Sequence, residues 1–195
     1  MKQEFNAAYW QQRYQDKQTG WDTQSITTPL KTYFDQLTNR ELRILIPGCG
    51  NAYEAEYIFS NGFKNVFVAD VAPAPLENFA SRVQQFPKEH LLLQNFFDLQ
   101  GQYDLIVEQK FFCAISPGLR ASYARKCAEL LVSGGRVVGL MFDTDFTHEG
   151  PPFGGSAAEY RQYFEPYFHF RHFERAYNSI PPRQGRELFI NLQKK

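Results

Sequence analysis

Ile44-Leu45-Ile46-Pro47-Gly48-Cys49-Gly50-Asn51 is the stretch that decides the fold. A short β-rich run from Leu42 to Ile46 is stopped by Pro47-Gly48, and Ala52 to Ser60 then places apolar groups at helical spacing. Gly48 and Gly50 remove side chains where a backbone must approach a ligand closely. Strand, glycine turn and helix together open a βαβ alternation.

The alternation continues along the chain. Val66 to Ala69 reads as a second strand closed by Asp70, Pro75 to Phe86 as a helix, His90 to Leu93 as a third strand and Tyr103 to Val107 as a fourth. Pro117 opens a helix expected to reach Val132, and Ser133-Gly134-Gly135 is expected to turn into a fifth strand from Arg136 to Phe142. Asp143 to Ser156 is a Gly- and Pro-rich loop too long to be only a connector. A helix near Ala157 to Phe164 precedes Tyr167 to Phe173 and Glu187 to Leu192, which can pair antiparallel at a sheet edge. Upstream, Glu4 to Lys17 reads as an amphipathic helix, and Thr27-Thr28-Pro29 starts another. The fold class that follows is α/β, a mostly parallel sheet covered on both faces. Ligands of such sheets sit outside the carboxyl ends of the strands.

Composition narrows the function classes. The 195 residues contain 43% hydrophobic residues, with 19 Phe and 11 Tyr, enough for a substantial core in one domain. Basic and acidic residues balance at 21 each, so no surplus of positive charge points to nucleic acid or an anionic membrane, and a small or mostly apolar partner is expected. Cys49, Cys113 and Cys127 are too few and too scattered for a disulfide framework or a zinc site, and no metal is expected. Without an apolar leader or a run approaching the ~20 residues of a membrane span, the expected location is the cytoplasm.

Asp70 ends the second strand, 20 residues after Gly50, where a carboxylate can accept from both hydroxyls of an adenosine ribose. Nicotinamide dinucleotides use the same arrangement, but their fingerprint has a third glycine where the helix receives pyrophosphate. Tyr53 stands there and Glu54 follows, a ring and an anion that suit a cationic ligand such as a sulfonium amino acid. Asn95-Phe96-Phe97-Asp98 after the third strand offers rings for adenine and a polar group for its edge. Glu108-Gln109-Lys110-Phe111-Phe112-Cys113 ends the fourth strand, where polar groups would face the reacting end of the ligand. Cys113 lacks a legible His–Asp partner and reads as a small buried hydrophobe. His148, in the long loop, is a candidate base, although an exposed histidine with no catalytic duty is the plainer reading.

An ordered set of short blocks gives the chain a resemblance to the thiopurine S-methyltransferase-like family of class I S-adenosylmethionine-dependent methyltransferases, nearest its thiol and halide branch. The blocks are Trp10-x-x-Arg13-Tyr14, Thr19-Gly20-Trp21-Asp22, Thr28-Pro29-Leu30, Pro47-Gly48-Cys49-Gly50, Asn95-Phe96-Phe97-Asp98, Phe111-Phe112-Cys113-Ala114-Ile115, Leu140-Met141-Phe142, Gly150-Pro151-Pro152-Phe153 and Pro182-Arg183-x-Gly185-Arg186-Glu187. The resemblance implies a Rossmann-like, seven-stranded sheet with a C-terminal antiparallel hairpin, residues 41–195 forming the core and residues 1–40 an N-terminal helical cap over the methyl donor, S-adenosylmethionine. It implies donor contacts from Trp10, Tyr14 and Trp21, with Gly48 at the amino-acid end and Asp70 at the ribose. Phe96 and Phe97 would lie by the adenine, and Glu108 near the methionine portion. Gly50, Glu54 and Asn95 complete the expected donor site. An aromatic cap is physically apt, because a sulfonium is attracted to ring faces.

Two positions depart from the family pattern. Asn95 stands where an Asp is usual, and Gln109 where the thiol and halide branch has Tyr and thiopurine enzymes have Arg. Acceptor orientation is expected from Gln109, Phe112, Phe142 and the loop around Phe153, and the expected acceptor is a small molecule, a thiol or other soft nucleophile, with halide as a further option. The alternatives are a protein that binds the donor or its spent form without turnover, and a nicotinamide-dependent oxidoreductase.

Overall fold

The computed structural model describes residues 5–195. Seven strands form one sheet in the order β3-β2-β1-β4-β5-β7-β6: β1 (Ile44–Pro47), β2 (Val66–Asp70), β3 (Leu91–Leu93), β4 (Tyr103–Gln109), β5 (Leu131–Phe142), β6 (Phe168–Arg175) and β7 (Glu187–Lys194). The pairs among β1 to β5 are parallel, and β7 runs antiparallel to both β5 and β6. The chain moves outward from β1 to β3 and returns to β4 beside β1. The direction of winding therefore reverses between β1 and β4, which opens a crevice at their carboxyl ends.

Among the described residues seven α-helices accompany the sheet: α1 (Ala7–Gln15), α2 (Thr28–Phe34), α3 (Tyr53–Ser60), α4 (Pro73–Arg82), α5 (Phe111–Ala114), α6 (Arg120–Leu130) and α7 (Ala157–Phe164). Two apolar layers sandwich the sheet. On one face Leu30, Phe34, Ala55, Ile58, Leu76 and Phe79 of α2 to α4 pack on Ile44, Ile46, Val66 and Val68. On the other, Phe112, Tyr123, Cys127, Tyr160 and Phe164 of α5 to α7 pack on Leu45, Ala69, Ile106 and Val137. Strand residues alternate between the layers because side chains reverse direction at each step.

The helix expected from Glu4 begins at Ala7, where the Asn6 side chain accepts from the Tyr9 amide at 3.1 Å, and ends at Gln15; Glu4 lies outside the described residues. Residues 131–135 also differ from the expected helix end and turn. α6 ends at Leu130 and β5 already starts at Leu131, with no separate turn at Ser133-Gly134-Gly135. Gly134, at φ +74°, lets the strand absorb the register shift opposite Tyr103 and Leu105 without breaking. No helix among the described residues is long and apolar enough to cross a membrane.

Candidate active site

The crevice between β1 and β4 widens into a cavity of about 1360 Å³. Its floor is the turn after β1, where Gly48 and Gly50 both adopt φ +54° and Ala52 follows in the same left-handed region. A Cβ at Gly48 would fall onto the Phe111 ring, so this glycine is required by φ and by packing together. Asp70 locks the turn: its Oδ2 accepts from the Gly50 amide at 3.2 Å and its Oδ1 from Ala72 at 2.9 Å. Each oxygen keeps lone-pair capacity for a further donor. Burial pushes the Asp70 carboxyl up to about 6, against the pull of these amides.

The roof is aromatic. Trp10 and Trp21 meet edge to face at 5.5 Å and Tyr14 meets Trp21 at 5.8 Å. The series continues through Tyr9 to Phe5, which touches Phe153 of the 143–156 loop at 5.4 Å. Burial, with Asp70 nearby, raises the Tyr14 phenol, which therefore stays protonated at neutral pH. At the far end, the Asn95 side chain accepts from the Phe97 amide at 3.0 Å and so caps the short 3-10 turn Phe96–Asp98. Phe97 is half-buried, whereas Phe96 is 2% exposed and packs on Tyr123 and Phe111.

The other end of the cavity is polar and charged. Gln109 Nε2 donates to Thr27 Oγ1 at 2.9 Å and to Glu54 Oε1 at 3.0 Å. Burial raises the Glu54 carboxyl. Lys110 follows with φ +68°, its ammonium 2.6 Å from Glu187 Oε1 and 4.2 Å from the Phe142 ring centroid. His148 stacks on Phe146 at 5.2 Å, and the Arg186 guanidinium lies 5.1 Å from the same ring.

One cavity thus brings together Trp10, Tyr14, Trp21, Gly48, Gly50, Glu54, Asp70, Asn95, Phe96, Phe97, Gln109, Phe142 and His148. Three expectations are corrected. Glu108 points away from the cavity into the layer beneath α5 and α6: its Oε1 accepts from Phe112 N at 3.0 Å, its Oε2 from the Tyr123 hydroxyl, and burial pushes its carboxyl up to about 7. Phe112 is fully buried against Tyr123, Tyr160 and Phe164. Phe153 is not a wall of the cavity; its amide donates to Cys113 O and its ring rests on Phe5. Thr27, Arg183 and Arg186, to which the sequence assigned no role in the site, join it together with Lys110. Lys110 had one visible signal, its place beside Gln109 at a strand's carboxyl end. Among the described residues no group of His, Cys, Asp and Glu gathers to hold a metal ion.

The site fits S-adenosylmethionine on its own geometry. It combines a backbone cradle that a Cβ would fill, a carboxylate with free lone pairs 20 residues on, and rings able to cover a cation.

Solved structures share the fold. A Burkholderia thailandensis 1,6-didemethyltoxoflavin-N1-methyltransferase, bound to S-adenosylhomocysteine, superposes with a TM-score of 0.77 at 16% identity, covering 97% of this chain and 87% of its own. The magnesium protoporphyrin IX methyltransferase of Synechocystis gives 0.74 at 12% identity, covering 97% and 95%. Among curated relatives, a probable thiol methyltransferase 2 of Arabidopsis thaliana is 28% identical over 80% of this chain and 71% of its own length. Thiocyanate methyltransferase 1 of Brassica oleracea is 29% identical over 91% and 81%. The model of the thiopurine S-methyltransferase family matches residues 5–192, nearly the whole chain. With the glycine cradle, the acid behind it and a family model that matches nearly the whole chain, this protein belongs to the thiopurine S-methyltransferase family and is an S-adenosylmethionine-dependent methyltransferase.

Proposed function

We propose that the protein methylates a small soft nucleophile, a thiol or thiolate first and halide second, within one domain spanning residues 1–195 and in the cytoplasm. The carrying observation is the single cavity of about 1360 Å³ that joins the Gly48–Asp70 cradle to the Gln109–Phe142 end. Ligand pockets commonly run to roughly 300–1,000 Å³, so this volume leaves room for a small acceptor beside the donor. When bound, S-adenosylmethionine supplies an electrophilic methyl group on a cationic sulfur, which leaves with the bonding pair as the acceptor's lone pair forms the new bond to carbon.

The residues divide the work along the cavity. Asp70 would hold the ribose hydroxyls, Gly48 and Gly50 would admit the amino-acid portion, and Phe97, with Phe96 behind it, would flank the adenine. Trp10, Tyr14 and Trp21 would cover the sulfonium and exclude water. Gln109 and Phe142 would align the acceptor, and the 143–156 loop, tied to Phe5 through Phe153, would close over it. A thiol is partly ionised near neutral pH, so its proton can go to solvent before transfer, and alignment supplies most of the catalysis. Three free cysteines and the balance of 21 basic with 21 acidic residues support a reducing compartment and a small-molecule acceptor rather than nucleic acid.

Incubation with S-adenosylmethionine carrying a labelled methyl group and a panel of thiols, selenols and halides tests this reading. Label should appear in a thiol product; absence of product with every acceptor would overturn it.

A further inference from the structure

The roof over the cavity does not rest on ring contacts alone. Trp21 is carried by a short turn in which the Asp22 amide donates to Thr19 O at 2.8 Å. The chain is then tied down on both sides of the tryptophan. The Trp21 carbonyl accepts from Arg183 Nη2 at 2.7 Å, and the next residue, Asp22, carries a carboxylate that engages three donors. Its Oδ1 accepts from the Gln24 amide at 2.7 Å, which bends the following loop back on itself. Its Oδ2 accepts from Asn51 Nδ2 and, at 3.4 Å, from the Tyr53 hydroxyl.

Asn51 belongs to the glycine turn, between the left-handed residues Gly50 and Ala52. It is itself braced from behind. Its Oδ1 accepts from Asn78 Nδ2 of α4 at 3.2 Å, and its carbonyl accepts from the Arg82 guanidinium. Arg82 in turn pairs with Glu56 of α3 at 2.5 Å and lies 4.6 Å from the Tyr53 ring centroid. Helix α1 has a separate anchor: Gln11 Oε1 accepts at 3.0 Å from the Ala74 amide, one of the first-turn donors of α4 that lack a partner within the helix. Trp10 and Trp21 are therefore held over the cavity by different contacts.

We propose that Asp22 is a positioning residue for methyl transfer: through Asn51 and Tyr53 it sets Trp21 over the sulfonium and slows the donor's escape. This rests on the placement of the donor beneath the roof given above. Asp22 acts through its neighbours, because three protein donors already engage its two oxygens. The contact also gives Tyr53 a use. At the position of a dinucleotide site's third glycine, it carries a hydroxyl across to the cap. Loss of the grip would leave Gly48, Gly50 and Asp70 in place, so the donor would still enter but would leave sooner.

Surface plasmon resonance with S-adenosylhomocysteine over immobilised protein reads both rates. Asp22→Ala and Asn51→Ala should each raise the dissociation rate about tenfold, the scale of a lost charge-assisted hydrogen bond, with little change in association. The double variant should dissociate no faster than either single one, because both substitutions remove the same link. Asp22→Asn, whose amide oxygen can still accept from Asn51, should recover most of the wild-type rate. A Trp10→Phe background leaves Trp21 as the sole tryptophan. There, acrylamide quenching of the ligand-free protein should increase on Asp22→Ala, while the denaturant midpoint moves little. Unchanged dissociation or unchanged quenching would overturn the proposal. So would effects that multiply in the double variant, or faster dissociation that only follows a large fall in the midpoint. Failure of the wild type to bind S-adenosylhomocysteine would count against the donor site itself; the quenching comparison, which needs no ligand, then decides whether Asp22 holds Trp21.

Discussion

The amide of Gly50 donates to the carboxylate of Asp70 at 3.2 Å, joining the turn after β1 to the end of β2 across the crevice. The acid is thus both a structural latch and, on the proposed reading, the ribose acceptor. Asp70→Asn keeps the shape and removes the charge. Loss of hydrogen bonds to a charged group costs about 1.5–3 kcal/mol. S-adenosylhomocysteine affinity should therefore fall roughly ten- to a hundred-fold in a calorimetric titration, since 1.4 kcal/mol is about tenfold.

The same carboxyl sets a pH dependence. Its folded value is raised to about 6, so protons compete with the ribose below that pH. Affinity should be flat from pH 7 to 8 and fall toward tenfold per unit below about 6, the limit for one competing proton. Asp70→Asn should abolish that acid limb. A limb that survives the substitution would assign it to another group.

Glu108 carries a second pH effect, on stability rather than binding. Its carboxyl is raised from an ordinary 4.5 to about 7, mainly by burial. A raised acid contributes stability that is fully present below the unfolded value and is lost as pH rises through the folded one. The wild type should lose stability between pH 4.5 and 7 from this group, by an amount of order 3 kcal/mol at most. Glu108→Gln should flatten that slope in denaturant titrations at pH 5, 6, 7 and 8.

Gly48→Ala should destabilise the fold and impair donor binding together. Alanine at φ +54° carries a left-handed penalty of about 1–2 kcal/mol, and its Cβ collides with Phe111. Denaturant unfolding should move by at least that amount. Gly62→Ala provides the control: it is also left-handed, at φ +92°, but open around its Cβ. It should lose stability without losing S-adenosylhomocysteine affinity.

The parts of the site legible in sequence were those whose chemistry is local. Gly48, Gly50 and Asp70 announce themselves because a left-handed turn and a strand-ending acid need those residue types wherever they occur. Trp10, Tyr14 and Trp21 came through the resemblance, and the cavity collects them under one roof. Glu108 was misplaced for lack of strand parity. Side chains alternate along β4, so Glu108 shares a face with Ile106 under α6, while Gln109 shares one with Val107. Only the register of β4 in the sheet says which of the two meets the ligand. Phe112 and Phe153 failed for a related reason: a Phe at a strand's end or in a loop is equally suited to core and pocket, and tertiary packing decides. The Lys110–Glu187 pair spans 77 positions of sequence and meets because β7 pairs with β5, the neighbour of β4, while Arg183 comes with Glu187 from four residues upstream.

On the proposed reading the β1–β4 cavity holds the sulfur nucleoside beneath its aromatic roof. Both tryptophans of the chain, Trp10 and Trp21, line that cavity. Intrinsic tryptophan fluorescence during titration with S-adenosylhomocysteine is therefore the most direct measurement. A saturable change with one-to-one stoichiometry, strongly weakened in Asp70→Asn, is the predicted result. A wild-type signal that stays constant at every concentration, with no calorimetric heat, would contradict the account.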